Sequence, residues 1–335
     1  MAETETSLDR LLPKLSRLAE ASLTLWDVPK GARVTLINVS ENVTFLVKAP
    51  GFKAVLRVHR DGYHARRAIE SELDWLTALD VETGLTTPQV ISGKNGERIQ
   101  EGISEGLTAP RHMVLFHFIE GSAPEETGDL SPGFETLGKI AAQCHHHASG
   151  WTKPAGFDRM TWDEEAVFGP GATWGDWRAA PGVTSEFRPL LEQVEHVVSA
   201  RLQSFGKSKD RFNLIHADMR LANLIIAPEG IRLIDFDDCG WGWFLYDFAA
   251  AISFLEDDPR IPALKAAWLR GYRSLRALSE EDAAEMDSFI MLRRIALLAW
   301  IGSHIDAPEP QALAPTFAAN TAKLAELYLE NFSLP

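Results

Sequence analysis

The first 120 residues combine short apolar runs, which predict strands, with two stretches whose apolar residues follow helical spacing. The helical stretches cover residues 8–25 and 63–79, where leucine and isoleucine recur every three or four positions. The strand-like runs are rich in valine, isoleucine, leucine, threonine and phenylalanine, and turn-forming residues separate them. We predict strands over 32–39, 42–49, 53–60, 86–93, 98–100 and 111–121.

After residue 120 the apolar spacing becomes mostly helical. The segment "EGSAPEETGD" is rich in proline, glycine and acids, which is typical of a linker between two parts of a chain. The pattern therefore predicts an α+β protein with a small β-rich lobe over 1–120 and a larger helical lobe over 121–335, and ligands are expected between such lobes. The predicted helices of the second lobe are 135–151, 186–205, 247–256, 263–275, 279–305 and 315–332.

The composition adds limits on partners and location. The formal charge of -14 over 335 residues disfavours nucleic acid and anionic membranes as partners and mildly favours a cationic small molecule. The two cysteines, Cys144 and Cys239, define neither a disulfide framework nor a zinc motif, so we expect both to be reduced. Because no signal peptide and no run of ~20 apolar residues is present, we expect a cytoplasmic protein without a membrane partner.

The segment "LIHADMRLANLIIAPEGIRLIDFDD" (214–238) places acids and an amide at the ends of two apolar runs. Asp218 and Asn223 have the spacing of the protein-kinase pattern H-R-D-x-x-x-x-N, and Asp235 follows where that pattern has D-F-G. The intervening residues predict a β-hairpin that returns Asp235 to the side of Asn223. An amide oxygen and a carboxylate are ligands that Mg²⁺ prefers, so these two residues are predicted to hold magnesium.

Asp218 is then expected to orient the hydroxyl group of a phosphate acceptor, because phosphoryl transfer needs alignment and charge neutralisation. Arg220, two residues later, is placed to contact the transferring phosphoryl oxygens. The roles of two further acids stay open. Asp237 is a candidate contributor to the metal shell, and Asp238 is a candidate cap for the following turn.

These residues resemble the aminoglycoside phosphotransferase and choline kinase superfamily, which has a protein-kinase-like fold. The bacterial homoserine-kinase-like and stress-response-kinase-like branch is the most similar. The family's segments follow in order along nearly the whole chain, from "SENVTFLV", "AVLRVHR", "ESELDWLTAL" and "LFHFIEG" to "LGKIAAQCHHHA", "IHADMRLANLI" and "LIDFDDCGWGWFLYDFAAAI". The resemblance implies ATP as phosphate donor, Asp218 as the catalytic aspartate, and structural roles for His216 and Asp247.

The resemblance also implies nucleotide-binding residues in the first lobe. Arg57 takes the place of the family's third-strand lysine, with Glu72 as its expected partner and Glu70 as the competing choice; a surface arginine on an edge strand is the alternative. The loop that covers the phosphates lacks its usual glycines, so Ser40 and Asn42 are expected to donate side-chain and backbone hydrogen bonds to the phosphates. Adenine is expected against the backbone of His117, Phe118 and Ile119.

Two further features are weighed against simpler explanations. The run "CHHH" (144–147) does not predict a metal site, because adjacent residues on a helix point about 100° apart. The irregular segment that begins "MTWDEE" is rich in tryptophan, and its rings are candidates to enclose an alkylammonium group or, more simply, to fill the core. The tryptophans concerned are Trp162, Trp174 and Trp177 in this segment, together with Trp241 and Trp243 further along the chain.

The sequence therefore predicts an ATP- and Mg²⁺-dependent phosphotransferase that acts on a hydroxyl group of a small molecule, such as an amino alcohol or a hydroxy amino acid like homoserine. Eleven residues separate Asp235 from Asp247, which leaves little room for a segment that binds an extended peptide. A Ser/Thr protein kinase of the stress-response type is the first alternative, and a nucleotide-binding protein without catalysis is the second.

Overall fold

Two separate units make up the chain in this computed structural model, which describes residues 8–40, 42–124 and 128–332. The first unit comprises the residues up to Ala78 together with Thr87–Glu120 and Pro154–Asp158. The second comprises Leu79–Thr86, Gly121–Lys153 and the residues from Arg159 onward. In the described part of the chain, no helix is both long and apolar enough to cross a membrane.

The first unit is built on an antiparallel sheet, and along Val43–Ala49 buried side chains alternate with more exposed ones, as expected where one face of a sheet covers a core. Its strands are β1 Arg33–Val39, β2 Val43–Ala49, β3 Phe52–Val58, β4 Val90–Ile91, β5 Gln100–Gly102 and β6 Arg111–His117. The strand order is β1-β2-β3-β6-β4, and β5 also pairs with β6. Each predicted strand is present, although β4 and β5 are short.

One face of this sheet forms the core of the first unit with helix α1 (Leu8–Ser22). Leu18 of α1 and Trp26 pack against Phe45 and Leu56 of the sheet, and all four side chains are buried. Since side chains alternate along a strand, β3 must place Arg57 on the opposite face from Leu56. Arg57 therefore lies on the face of the sheet that α1 does not cover.

The second unit is mainly helical, and its longest buried element is α9, whose side chains are shielded along nearly the whole helix. Its helices are α3 Ser131–Gly150, α4 Glu164–Phe168, α5 Arg188–Phe205, α6 Tyr246–Ala251, α7 Ile261–Arg273, α8 Glu280–Ala284, α9 Met286–Ser303 and α10 Pro308–Asn331. Helix α2, Arg66–Thr83, begins in the first unit. The described residues of the second unit also include five short strands: β7 Thr161–Trp162, β8 Phe212–Ile215, β9 Leu224–Ala227, β10 Gly230–Leu233 and β11 Gly240–Trp243.

The largest errors in the predicted helix bounds are at three places. The helix predicted over 279–305 is interrupted at Glu285, whose carboxylate is bound by Arg201. The helix predicted over 247–256 ends at Ala251, and Phe254 soon after has a φ of 71°, which a helix does not accommodate. Helix α10 begins at Pro308 rather than 315, because prolines are tolerated in the first turn where no N–H is needed.

Helices α3 and α7 cross where each carries a glycine. A Cβ at Gly271 would lie 1.9 Å from the Glu135 carbonyl oxygen, and one at Gly138 would lie 2.1 Å from the Trp268 carbonyl oxygen. Because both obstacles are backbone atoms of a neighbouring helix, they cannot move aside without shifting that helix. The absence of a side chain at these two positions therefore sets the spacing of the two helices.

We predict that Gly271→Ala lowers the free energy of unfolding by about 3 kcal/mol, since the new methyl group must separate α3 from α7. Gly133→Ala on α3 is the matched control, because a Cβ there meets nothing within 4 Å. The control should leave stability unchanged or raise it slightly, as alanine favours a helix more than glycine does. Urea denaturation of both variants tests this, and equal stabilities would contradict the packing argument.

Candidate active site

The loop that follows β8 is held by the carboxylate of Asp247, in the first turn of α6. The backbone N–H groups of His216 and Ala217 donate to this carboxylate at 3.1 and 2.7 Å, and His145 lies 2.9 Å from it. Ala217 has a φ of 67°, a conformation that L-residues other than glycine rarely adopt. Asp247 thus fixes a strained turn that directs the following residue, Asp218.

The His216 side chain supports the same loop. Its Nε2 lies 3.1 Å from the carbonyl oxygen of Ile234, and its Nδ1 accepts a hydrogen bond from the backbone N–H of Asp218 at 3.2 Å. A neutral imidazole with its proton on Nε2 satisfies both contacts. These contacts are structural ones, in agreement with the roles that the sequence predicted for His216 and Asp247.

Asp218 is surrounded by hydrogen-bond donors. Asn223 Nδ2 donates to Oδ2 at 2.6 Å, Arg293 Nη2 donates to Oδ1 at 2.8 Å, and Arg220 Nε lies 3.3 Å from Oδ2. Burial alone would raise the pKa of this carboxyl group, but the charges of Arg220 and Arg293 and the Asn223 bond outweigh burial and lower it. The carboxylate therefore remains ionised and is suited to accept hydrogen bonds.

The predicted hairpin is present and brings Asp235 back toward Asn223. Strands β9 and β10 pair in register from Leu224↔Leu233 to Ala227↔Gly230, and the N–H of Ile234 donates to the Asn223 carbonyl oxygen at 3.0 Å. Asp235 is exposed and has a φ of 61°, which aspartate tolerates better than most residues. Because the Asn223 amide nitrogen faces Asp218, its oxygen points elsewhere and remains a suitable metal ligand.

The next two acids, Asp237 and Asp238, are buried, and their backbone is fastened from a second side. Arg159 donates to the carbonyl oxygens of Asp237 and Cys239, and Trp162 Nε1 donates to that of Asp238 at 2.7 Å. These bonds explain how the segment stays rigid. The predicted contributions of the two carboxylates to a metal shell or a turn remain predictions.

Arg220 forms contacts that its predicted role did not include. Its Nη1 donates to Glu309 Oε1 at 2.8 Å, in the first turn of α10, while its Nε faces Asp218. The guanidinium group is thus held between two carboxylates beside the candidate catalytic residue. A contact with a phosphoryl group stays a prediction.

Sequence reasoning missed Arg293, which lies on α9, 75 residues after Asp218. Besides its bond to Asp218, it donates to Ser253 Oγ at 3.1 Å and contacts the Tyr246 hydroxyl at 3.4 Å. The signal available in the sequence was the pair Arg293-Arg294 within the apolar run "FIMLRRIALLAW". A buried arginine requires a partner, and that requirement could have pointed to the candidate site.

One ring of the tryptophan-rich segment, that of Trp174, lies against the guanidinium group of Arg293. The Arg293 guanidinium lies 5.1 Å from the centre of the Trp174 ring, and Trp174 packs on Trp162 at 4.8 Å between ring centres. Trp177 and Trp243 are also buried, whereas Trp241 is partly exposed and lies near Lys153. Four of the five rings are therefore buried in the core, as the simpler explanation predicts, and Trp174 also lies against Arg293.

The "CHHH" run sends its side chains to separate places. His145 binds Asp247 and the Tyr272 hydroxyl, His147 contacts Glu82, and His146 is exposed. Cys144 is buried, and burial raises the pKa of its thiol. Across the described ranges of the chain, no group of three or more His, Cys, Asp or Glu side chains is arranged to hold a metal ion.

In the first unit, the predicted pair of Arg57 and Glu72 is present. Arg57 Nη2 lies 2.7 Å from both carboxylate oxygens of Glu72, and both side chains are buried. Glu70, the competing choice, binds Arg66 and Arg67 instead. The alternative of a surface arginine on an edge strand was wrong, because β3 lies between β2 and β6.

The turn between β1 and β2 is closed by its own residues. The N–H of Ser40 donates to the Asn42 carbonyl oxygen at 3.0 Å, and the N–H of Arg60 donates to Asn42 Oδ1 at 3.2 Å. The Asn42 side-chain oxygen therefore ties the turn to the end of β3. The predicted contacts of Ser40 and Asn42 with phosphate remain predictions.

A large open cavity of about 1020 Å³ lies on the first unit beside the predicted adenine segment. The N–H of His117 donates to the Gln89 carbonyl oxygen at 2.8 Å, so the adenine prediction rests on the other backbone groups of His117, Phe118 and Ile119. Lys53 lies 2.5 Å from Glu120 and 5.0 Å from the Phe118 ring. The cavity is lined by Thr35, Leu46, Lys48, Lys53, Phe118 and Glu120, among others.

The chain belongs to the phosphotransferase enzyme family, whose model matches residues 34–278. A solved structure described as the microcompartment-associated aminopropanol kinase is 43% identical, with a TM-score of 0.87, over 95% of this chain and 98% of the other. The homoserine kinase of Gluconobacter oxydans is 25% identical over 305 residues, 86% of this chain and 89% of its own.

A spectinomycin phosphotransferase, 12% identical, has a TM-score of 0.62 over 96% of this chain and 98% of its own, which is a likeness of fold. The chain therefore has an α+β, protein-kinase-like fold and is a kinase of a family that uses ATP. The alternative of a nucleotide-binding protein without catalysis is set aside.

We predict that Glu72→Gln raises the KM for ATP about tenfold, which corresponds to roughly 1.4 kcal/mol, because Arg57 loses the carboxylate that orients it. Glu70→Gln, on the same helix but bonded to Arg66 and Arg67, is the control and should keep the KM for ATP within about twofold. Steady-state assays at saturating acceptor measure both. Indistinguishable KM values would separate Arg57 from nucleotide binding.

Proposed function

We propose that this protein transfers the γ-phosphate of ATP, in the presence of Mg²⁺, to the hydroxyl group of a small amino alcohol. The observation that carries the proposal is the 43% identity, over 95% of the chain, with an aminopropanol kinase. The bond between Asn223 and Asp218 and the hairpin that precedes Asp235 support it, because each of these residues has a proposed task in phosphoryl transfer. The formal charge of -14 also favours a cationic acceptor.

In this proposal Asp218 accepts a hydrogen bond from the acceptor hydroxyl and aligns its oxygen with the γ-phosphorus. Its lowered pKa suits that task, because an ionised carboxylate orients the hydroxyl throughout the neutral pH range. Arg220 lies beside Asp218 and supplies positive charge for the transferring phosphoryl oxygens.

The proposed metal ligands are the side-chain oxygen of Asn223 and the carboxylate of Asp235. Both are hard oxygen donors, and a site with two protein ligands leaves room for water and phosphate oxygens, as magnesium requires. When bound, Mg²⁺ supplies charge neutralisation for the phosphates of ATP. Asn223 is fixed for this task by its bond to Asp218, and Asp235 by the β9–β10 hairpin.

The first lobe, residues 1–120, is proposed to bind the nucleotide through Arg57, and its bond to Glu72 keeps the guanidinium oriented. The cavity beside Phe118 is proposed to receive adenine. The second lobe, residues 121–335, is proposed to bind the metal ion and the acceptor through the residues around Asp218.

A hydroxy amino acid is the second candidate acceptor. It is favoured by the homoserine kinases among the relatives, such as that of Gluconobacter oxydans at 25% identity over 305 residues. The two classes differ by a carboxylate, so a direct comparison of acceptors separates them.

We predict that a panel of hydroxylated amines gives ADP release with amino alcohols such as 1-amino-2-propanol, and weaker release with homoserine. Asp218→Asn should reduce kcat by about 10³-fold with the preferred acceptor, because the amide lacks the charge and adds a donor toward the hydroxyl. Phosphate transfer to casein and to the protein itself is measured in parallel, as the test of a protein acceptor. Turnover of protein substrates alone, or full activity of Asp218→Asn, would contradict the proposal.

We predict that Asp235→Asn weakens Mg²⁺-dependent nucleotide binding about tenfold or more, since the ion loses its charged protein ligand. Isothermal titration calorimetry with ATP, at several Mg²⁺ concentrations and in its absence, measures this without turnover. Asp257→Asn, on an exposed turn of the second unit, is the control and should bind as the wild type does. The same Mg²⁺ dependence in wild type and Asp235→Asn would remove the metal assignment.

A further inference from the structure

Arg293 is a buried cation that contacts the candidate catalytic carboxylate from a distant helix. We propose that Arg293 is a positioning residue, which fixes the orientation of the Asp218 carboxylate so that one of its oxygens is presented to the acceptor hydroxyl. The inference rests on the proposed function, because it assigns Arg293 a role only if Asp218 orients the acceptor.

The guanidinium group is fixed by several separate contacts. Its Nη2 binds Asp218 Oδ1, its Nε binds Ser253 Oγ, and its Nη1 lies near the Tyr246 hydroxyl. The Trp174 ring lies 5.1 Å from its central carbon. A planar group held at three edges and beside an aromatic ring has little freedom to rotate, so it transfers its own orientation to Asp218.

The contacts at Asp218 are divided unequally between its two oxygens. Oδ2 receives Asn223 and faces Arg220, whereas Oδ1 receives Arg293. A carboxylate oxygen accepts about two hydrogen bonds, so the contacts described leave an acceptor position on Oδ1. Arg293 occupies the other position of that oxygen and thereby sets the direction from which a hydroxyl group can approach.

The neighbouring Arg294 shows what a purely structural arginine looks like on the same helix. It donates to Glu256 at 2.5 Å and to Thr321 at 2.9 Å, and it lies 3.6 Å from the centre of the Phe317 ring. Both arginines are buried to a similar degree, with 2% of each exposed. The two residues differ in the carboxylate they contact, which makes Arg294 a matched control.

The test compares Arg293→Lys and Arg293→Ala with the wild type, using the amino alcohol that the acceptor panel selects. Lysine can reach Asp218 but cannot bind Ser253 and Tyr246 at the same time, so kcat should fall about tenfold. Alanine should lower kcat about 10²-fold, the loss expected from a misplaced reacting group, while the KM for ATP stays within about twofold. Guanidinium ion added at millimolar concentration should restore part of the kcat of Arg293→Ala.

The controls separate positioning from stability. Arg294→Lys should lower the melting temperature but keep the kcat of the folded protein, because Arg294 contacts Glu256 rather than Asp218. Ser253→Ala combined with Tyr246→Phe releases two edges of the Arg293 guanidinium and keeps its charge, so kcat should fall severalfold. This double variant keeps the inference testable where Arg293→Ala does not fold.

The outcomes distinguish this inference from the proposed function. Full activity of Asp218→Asn would overturn both, since Asp218 would not be the residue that orients the acceptor. An inactive Asp218→Asn together with wild-type kcat in Arg293→Lys and in the double variant would overturn this inference alone. A loss of stability in Arg293→Ala without a change of kcat, and without rescue by guanidinium, would also reduce Arg293 to a structural residue.

Discussion

The geometry of the candidate active site depends on one buried carboxylate, that of Asp247, and on the two backbone N–H groups it accepts. A backbone N–H that is buried without a partner costs about 1–3 kcal/mol, so the turn at His216 and Ala217 needs such an acceptor to persist. The turn carries a positive φ at Ala217, which would be unfavourable in an isolated peptide. His145 holds Asp247 from the other side, and burial keeps the pKa of that histidine low, so it remains neutral.

Positive charge is concentrated at Asp218 although the chain as a whole is strongly acidic. Arg220 and Arg293 both contact the carboxylate, while the formal charge of the chain is -14. In a phosphoryl transfer the carboxylate and the phosphoryl group would repel one another without neighbouring cations. The two arginines offset that repulsion with groups that keep their charge at any physiological pH. The arrangement thus agrees with a kinase in which alignment, and not proton storage, is the task of Asp218.

Features set by neighbouring residues could be predicted from the sequence. The β9–β10 hairpin follows from two apolar runs around a turn, and it determines that Asp235 returns toward Asn223. The resemblance singled out Arg57, and the helical register of α2 favoured Glu72 over Glu70 as its partner, which the structure confirms. In both cases the residues concerned are separated by at most 15 positions along the chain, so local patterns carried much of the prediction.

Contacts between distant segments could not be predicted in this way. Arg293 reaches Asp218 across 75 residues, and Glu309 reaches Arg220 across 89, so neither pairing is encoded in a local pattern. A contact of the same kind lies at the break in the predicted 279–305 helix, where Arg201 of α5 binds Glu285 across 84 residues. The tryptophans were ambiguous for the same reason, since the cation that Trp174 faces comes from α9.

The glycines at the crossing of α3 and α7 have a consequence beyond packing. Tyr272 follows Gly271, and its hydroxyl lies 3.0 Å from Nδ1 of His145, seven residues after Gly138 on the other helix. His145 in turn contacts Asp247, which holds the loop that carries Asp218. A change in the spacing of α3 and α7 would therefore move the His145 ring relative to this loop. Replacement of either glycine would therefore disturb the support of the loop that carries Asp218 as well as the stability of the protein.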